Sequence, residues 1–252
     1  MLEITEFSDS AQADRDMGGA PRPIAPAWHT VLMLLLVLAP LIQAIAYDRS
    51  HPGVPSQPPA AIPLYLIGAA VQCIFFLFAW WGVRLRKNSL RTLVGAGWTS
   101  GRQVTRDIGL ALGFWVVWYA ALSLLKLGLA AAGVTNASAA GMVYPRGVFE
   151  VVLWIMDSIL AGIVEETVFR AYLLKQFTAW FRNAPVAVVL QAIIFGVAHA
   201  YTLGIRQVIL ISVSGILIGF FVLGCKSIRP AMAFHAWADF FGAIIYRGLP
   251  FQ

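Results

Sequence analysis

Seven long apolar segments divide this chain, and each has the length of a membrane-spanning helix. They are residues 28–47, 63–83, 107–126, 148–169, 185–203, 207–224 and 230–246. A helix needs about 20 apolar residues to cross a hydrocarbon core. Backbone polar groups inside a bilayer must be satisfied within the segment itself, which favours helices. The pattern predicts an all-α fold: a polytopic, multi-pass membrane bundle of about seven transmembrane helices.

The composition agrees with this interpretation. Hydrophobic residues make up 60% of the chain and charged residues only 12%, whereas soluble domains carry about 25% charged residues. A soluble globular protein is therefore excluded.

Three regions differ in character. Residues 1–27 are acidic and end in "PRPIAP", which predicts a disordered tail. Residues 28–147 hold the first three spans with their loops, and residues 148–246 hold the last four. The tail lacks the basic start and cleavage pattern of a signal peptide. This fits a bacterial inner membrane, which we expect as the location.

The net charge of +6 is explained by its placement. Six basic residues lie between the second and third spans: Arg84, Arg86, Lys87, Arg91, Arg102 and Arg106. Basic loops mark the cytoplasmic side, so we expect this loop and the N-terminus to be cytoplasmic. Thirteen of the 18 Lys and Arg residues then lie inside. Topology and the lipid bilayer account for the charge, and we expect no nucleic-acid partner.

The first three spans contain no ionisable candidate at their centres, and the candidates all fall in the C-terminal half. They lie in or at the end of the fourth, fifth and seventh spans, and are Asp157, Glu165, Glu166, Arg170, His199, His235 and Asp239. Such groups cost about 2.5–3.5 kcal/mol each on insertion scales. We therefore expect them to face one another or water, and we place a functional site in this half.

Helical spacing separates the two adjacent glutamates. Glu166 and Arg170 are four residues apart and can pair on one face, while Glu165 points about 100° away around the axis. One carboxylate is thus held by the arginine and the other stays available. His235 and Asp239 are also four apart and share a face.

The turn signal "FRNAP" at residues 181–185 sets the relative depth of the next helix. Glu165 lies eighteen residues before Asn183, and His199 lies sixteen residues after it. Two straight antiparallel helices would place them at nearly the same depth. We therefore predict that Glu165, Glu166, His199 and His235 converge on one cavity in the membrane.

These residue types indicate hydrolysis by one of two routes. A carboxylate can act as a general base toward water, and further donors can meet the negative oxygen formed when water attacks an amide. Alternatively, two histidines and two carboxylates can ligate zinc; that set would be Glu165, His199, His235 and Asp239. No HExxH motif occurs in the chain. The residues alone leave both routes open.

Three motifs resemble those of the CAAX protease and bacteriocin-processing family of intramembrane endopeptidases. "EETVFR" resembles the family's EExxxR motif, "FGVAH" at residues 195–199 resembles FxxxH, and "HAWAD" at residues 235–239 resembles HxxxN. The resemblance covers about residues 148–246. It implies a helical membrane bundle with a polar cavity, no cofactor, and a membrane-associated protein or peptide as substrate.

The resemblance also implies a role for each motif residue. Glu165 activates the water with support from His199, while Glu166 and Arg170 fix the local geometry. His235 and residue 239 stabilise the oxyanion. The chain departs from the family at Asp239, where Asn is usual, since an ionised carboxylate donates no hydrogen bond.

Two other functions compete with proteolysis. One is a non-proteolytic immunity or assembly factor on the same scaffold. The other is a proton-coupled transporter, because membrane acids and histidines also form proton relays. Transporters are often built from repeated halves, and no internal repeat is evident in this sequence.

Overall fold

The regular structure of the protein is helical throughout the part of the chain that is described. The computed structural model describes residues 21–50, 60–134, 145 and 147–248. Its elements are α1 (Ala27–Ser50), α2 (Ala61–Leu85), α3 (Leu90–Val94), α4 (Gly101–Ala131), α5 (Val148–Glu165), a π-helix (Glu166–Leu173), α6 (Leu174–Phe181), α7 (Ala184–Ala198), α8 (Ala200–Cys225) and α9 (Arg229–Gly248). The predicted all-α membrane fold is confirmed.

Each predicted span lies in helical structure, and among the described residues three segments meet the length and hydropathy needed to cross a membrane. These are α2, α4 and residues Ile205–Cys225 of α8. Helices α2 and α4 expose large apolar side chains, among them Ile67 and Val117. Such a surface suits contact with lipid. The chain is a membrane protein, and the count of seven spans stays a prediction.

One predicted boundary is wrong. The fifth span was expected to run to residue 203, but α7 ends at Ala198 and α8 begins at Ala200. His199 sits between them with φ −94° and ψ 0°, and its N–H donates to the carbonyl of Gly196. The tight turn needs neither Gly nor Pro, so the sequence carried no signal for it.

Helices α7 and α8 pack closely because small residues face each other. A Cβ at Gly196 would clash with Ser212, one at Gly215 would lie 3.0 Å from Ala192, and one at Gly219 would lie 2.8 Å from Val188. Contacts that advance along one helix and recede along the other show antiparallel packing. Small residues at such interfaces let membrane helices approach.

Most of the predicted tail lies outside the described residues, which omit residues 1–20, 51–59, 135–144, 146 and 249–252. The last part of the tail is described and is held against the bundle. Gln176 accepts hydrogen bonds from the N–H groups of Ile24 and Ala25 and donates one to the carbonyl of Ala25. Ala25 is fully buried, so the expected disorder does not extend to this residue.

Candidate active site

The EExxxR motif lies where α5 gives way to the π-helix. Glu165 is the last residue of α5, and all eight residues from Glu166 to Leu173 are buried. π-Helical segments are rare and occur frequently at functional sites. The sequence had predicted an uninterrupted α-helix here. The expected pairing within the motif nevertheless forms, with Arg170 Nη1 donating to Glu166 Oε1 over 2.9 Å.

One carboxylate oxygen of Glu166 accepts hydrogen bonds from two side chains. Its Oε1 accepts from Arg170 and also from Nδ1 of His235, at 2.7 Å. The side chains of Glu166 and Arg170 have no solvent exposure. The guanidinium carbon also lies 4.5 Å from the centroid of the Phe195 ring, a cation–π contact. Glu166 and Arg170 therefore form a buried ion pair that links the π-helix to α9 through His235 and to α7 through Phe195.

Glu165 lies in different surroundings. Its side chain is 17% exposed. Its Oε2 lies 3.7 Å from Nε2 of His235, which is beyond direct hydrogen-bond range. Its Oε1 accepts a hydrogen bond of 2.9 Å from Nε2 of Gln72 on α2. The adjacent carboxylates thus have the separate environments that helical spacing predicted.

His235 stands between three carboxyl groups. Its Nδ1 donates to Glu166, while Nε2 lies 3.7 Å from both Oε2 of Glu165 and Oδ2 of Asp239. In the neutral ring this leaves the lone pair on Nε2, and in the imidazolium form Nε2 also donates. The side chain of Asp239 is 41% exposed, compared with 11% for that of His235.

His199 reaches the same region through Phe195. Its Nδ1 donates to the carbonyl of Phe195 over 2.7 Å, which leaves Nε2 as the basic nitrogen of the neutral ring. The Phe195 ring makes edge contacts with both His199 and His235, at centroid distances of 4.8 and 6.1 Å. Asp239 interacts electrostatically with His199 as well as with His235 and Glu165. All six candidate residues are therefore brought into one neighbourhood.

Gly162 sets the closeness of α5 and α9 at this site. A Cβ at this position would lie 2.8 Å from both the nitrogen of Ala236 and the carbonyl oxygen of Met232. These are backbone atoms, which cannot move independently of the helix. The contact is one residue from His235 and three from Glu165, so it fixes how closely the imidazole approaches the carboxylates.

Two polar residues near Glu165 fall outside the three motifs. Gln72 is neutral, so it does not stand out among the ionisable residues of the spans. Asp157 was recognised as a membrane acid but given no role. It lies two helical turns before Glu165, faces Gly68 of α2, and interacts electrostatically with Glu165.

The described residues do not arrange themselves as a metal site. Within that part of the chain, no three His, Cys, Asp or Glu side chains form a group that could hold a metal ion. Nδ1 of His235 donates to Glu166, and Nδ1 of His199 donates to a backbone carbonyl. Metal-ligating histidines make such contacts as well, so the zinc ligand set of Glu165, His199, His235 and Asp239 stays a hypothesis.

The chain was compared with known proteins. Residues 147–241 match the family described as type II CAAX prenyl endopeptidase Rce1-like. No curated protein matches the chain, and no solved structure matches it either. All six candidate residues lie inside the matched range, whereas Gln72 lies outside it. Residues 147–241 are thus similar to the Rce1-like CAAX protease family, in agreement with the resemblance carried by the three motifs.

Proposed function

We propose that this protein is an intramembrane endopeptidase that hydrolyses a peptide bond in a membrane-associated protein or peptide. The observation that carries the proposal is the division between the two glutamates. Glu166 is committed to Arg170 and His235, whereas Oε2 of Glu165 lies near the imidazole without a direct hydrogen bond. A carboxylate in that position suits a general base toward water.

The proposed reaction uses these groups in turn. Glu165 takes a proton from water as the water oxygen attacks the carbonyl carbon of the substrate. The negative oxygen that forms is met by Nε2–H of protonated His235, whose other nitrogen is held by Glu166. Collapse breaks the C–N bond, and Glu165 returns its proton to the leaving amine. His199 and Asp239 complete the polar wall of the site.

The substrate class follows from location. A site between helices in a membrane protein suits a chain that reaches it from the bilayer. The matched family is described by its action on prenylated CAAX proteins, so a prenylated CAAX peptide and the same peptide without its prenyl group are suitable first probes.

The test compares membranes that contain wild-type protein with membranes that contain Glu165→Gln. Mass spectrometry of membrane peptides should show cleavage products only with the wild type. Glu150→Gln is the matched control, since Glu150 lies in the first turn of the same helix, far from the motif. If Glu165→Gln yields no cleavage products but replaces the wild type in every cellular phenotype, the non-proteolytic function is favoured.

A further inference from the structure

We propose that Gln72 is a positioning residue that orients Glu165 for catalysis, an inference that rests on the proposed function. Gln72 lies on α2, in the half of the chain that the family match does not cover. Its Nε2 donates to Oε1 of Glu165 over 2.9 Å, across 93 residues of sequence. The site is therefore completed from outside the matched segment.

The contact belongs to an ordered interface between two helices. The Tyr65 ring packs against the Trp154 ring with centroids 5.6 Å apart. Next along the interface, Gly68 faces the carboxyl group of Asp157. Gln72 then meets Glu165. The contacts advance along α2 and α5 together, so the helices run parallel, and the pairing of Gln72 with Glu165 follows from this register.

A neutral amide donor such as that of Gln72 suits a carboxylate that has to act as a base. Glu166 receives a cation from Arg170, which fixes it as a charged structural partner. Glu165 receives a neutral amide instead, which holds its orientation without supplying a counter-charge. Because Gln72 occupies Oε1, the other oxygen, Oε2, is the one directed toward His235. We assign the role of proton acceptor to Oε2.

The side-chain amide of Gln191 provides a matched control for substitution of Gln72. Gln191 on α7 donates to the carbonyls of Val188 and Gly215, and so ties α7 to α8. Like Gln72, it has an Oε1 that is buried and without a hydrogen-bond partner among the described residues. The two side chains match in chemistry and differ in what they hold.

The first arm of the experiment measures turnover by full-length protein in detergent, with the peptide found to be cleaved by the wild type. Gln72→Met should lower kcat by about 10- to 100-fold, as expected for a lost hydrogen bond to a charged group. KM should stay within about twofold, because the amide contacts the base and not the substrate. Gln191→Met should lower the melting temperature while kcat stays near that of wild type.

The second arm tests the contact without using activity. Gln72→Glu places two carboxylates together and should lower the melting temperature by about 2 °C or more. Adding Glu165→Gln exchanges the two groups and should restore the melting temperature, while kcat stays lost because the base has moved to α2.

Three outcomes would overturn the inference. The first is wild-type kcat in Gln72→Met when Glu165→Gln is inactive; this removes the role of Gln72 and leaves the proposed function standing. The second is an equal loss of kcat in Gln191→Met, which shows a general effect on folding. The third is a melting temperature that the exchange variant does not recover, which shows that the two side chains are not in contact. If Glu165→Gln keeps wild-type kcat, the proposed function itself falls.

Discussion

Nδ1 of His235 donates a hydrogen bond of 2.7 Å to Oε1 of Glu166. The oxygen that receives it also accepts from Arg170, so one buried carboxylate fixes both a cation and the imidazole. The opposite edge of the ring faces Glu165 and Asp239. In the proposed mechanism, Glu166 acts through His235, whereas Glu165 acts on the water directly.

Substitution of Glu165 should mainly lower activity, whereas substitution of Glu166 should mainly lower stability. Glu165→Gln should lower turnover by about 100-fold or more, the usual contribution of a general base, with little change in melting temperature. Glu166→Gln leaves Arg170 buried without its counter-charge, which costs about 3–5 kcal/mol. Thermal unfolding and peptide hydrolysis of the purified variants measure both effects.

Replacing both members of the buried pair provides the control. The double variant Glu166→Met with Arg170→Met removes both charges and should be more stable than either single variant, because neither charge is left unpaired. If the double variant lost as much stability as the two single variants combined, the pairing would be contradicted. A Glu166→Gln protein that melts at the wild-type temperature would contradict it as well.

Gly162 should tolerate no side chain. The Cβ of Gly162→Ala would press on backbone atoms of Met232 and Ala236, so α9 has to shift away from α5. A displacement of about 1 Å at a catalytic group costs about 100-fold in rate. Gly113→Ala on α4 is the control, since nothing lies within 4 Å of a Cβ there. Wild-type activity in Gly162→Ala would show that the close approach does not position His235.

Lys175 should give the fold a pH dependence. It lies beyond the predicted fourth span and donates to the carbonyls of Thr92 and Leu93. Burial lowers its pKa from 10.5 to about 8. Between these values the unfolded chain binds more protons than the folded protein, so this group makes the free energy of unfolding rise with pH.

Thermal unfolding between pH 7 and pH 10 tests this effect. The melting temperature of the wild type, relative to that of Lys175→Met, should increase across the range. Lys87→Met, which alters an exposed lysine, should follow the wild type. A constant difference between the wild type and Lys175→Met would contradict the lowered pKa.

The sequence predicted the parts of the site that depend on local spacing. Glu166 and Arg170 pair as helical neighbours, and the hydrophobic segments located each helix. The contact between Gln72 and Glu165 depends on the register of α2 against α5, which spacing within a single helix does not reveal. The π-helix and the break at His199 carry no Gly or Pro at the point where the helix geometry changes, so the sequence does not predict them.

The orientation of the chain is open to a labelling test. We predict that the loop of residues 84–106 is cytoplasmic, because basic loops are retained on that side. In a variant with Cys73 and Cys225 replaced by Ser, Arg91→Cys should react with an impermeant reagent only after cells are opened. Ala132→Cys, beyond the opposite end of α4, should react in intact cells. The reverse pattern would place the N-terminus outside.

Asp239 decides between an activated water alone and a metal-assisted reaction. Its Oδ2 lies 3.7 Å from Nε2 of His235, and its side chain is 41% exposed. We expect metal-independent activity, in which Asp239 orients His235 or acts while protonated. Asp239→Asn, which keeps the size of the side chain and restores the residue usual in the family, should then keep much of the activity. A ligand role predicts that the same change weakens metal affinity and activity together.

The measurement is turnover by purified protein after removal of metal, with metal content quantified and Asp157→Asn as a control on a nearby acid outside the motifs. A loss of turnover that returns with stoichiometric zinc, but not with magnesium, would contradict the glutamate mechanism and make Asp239 a metal ligand.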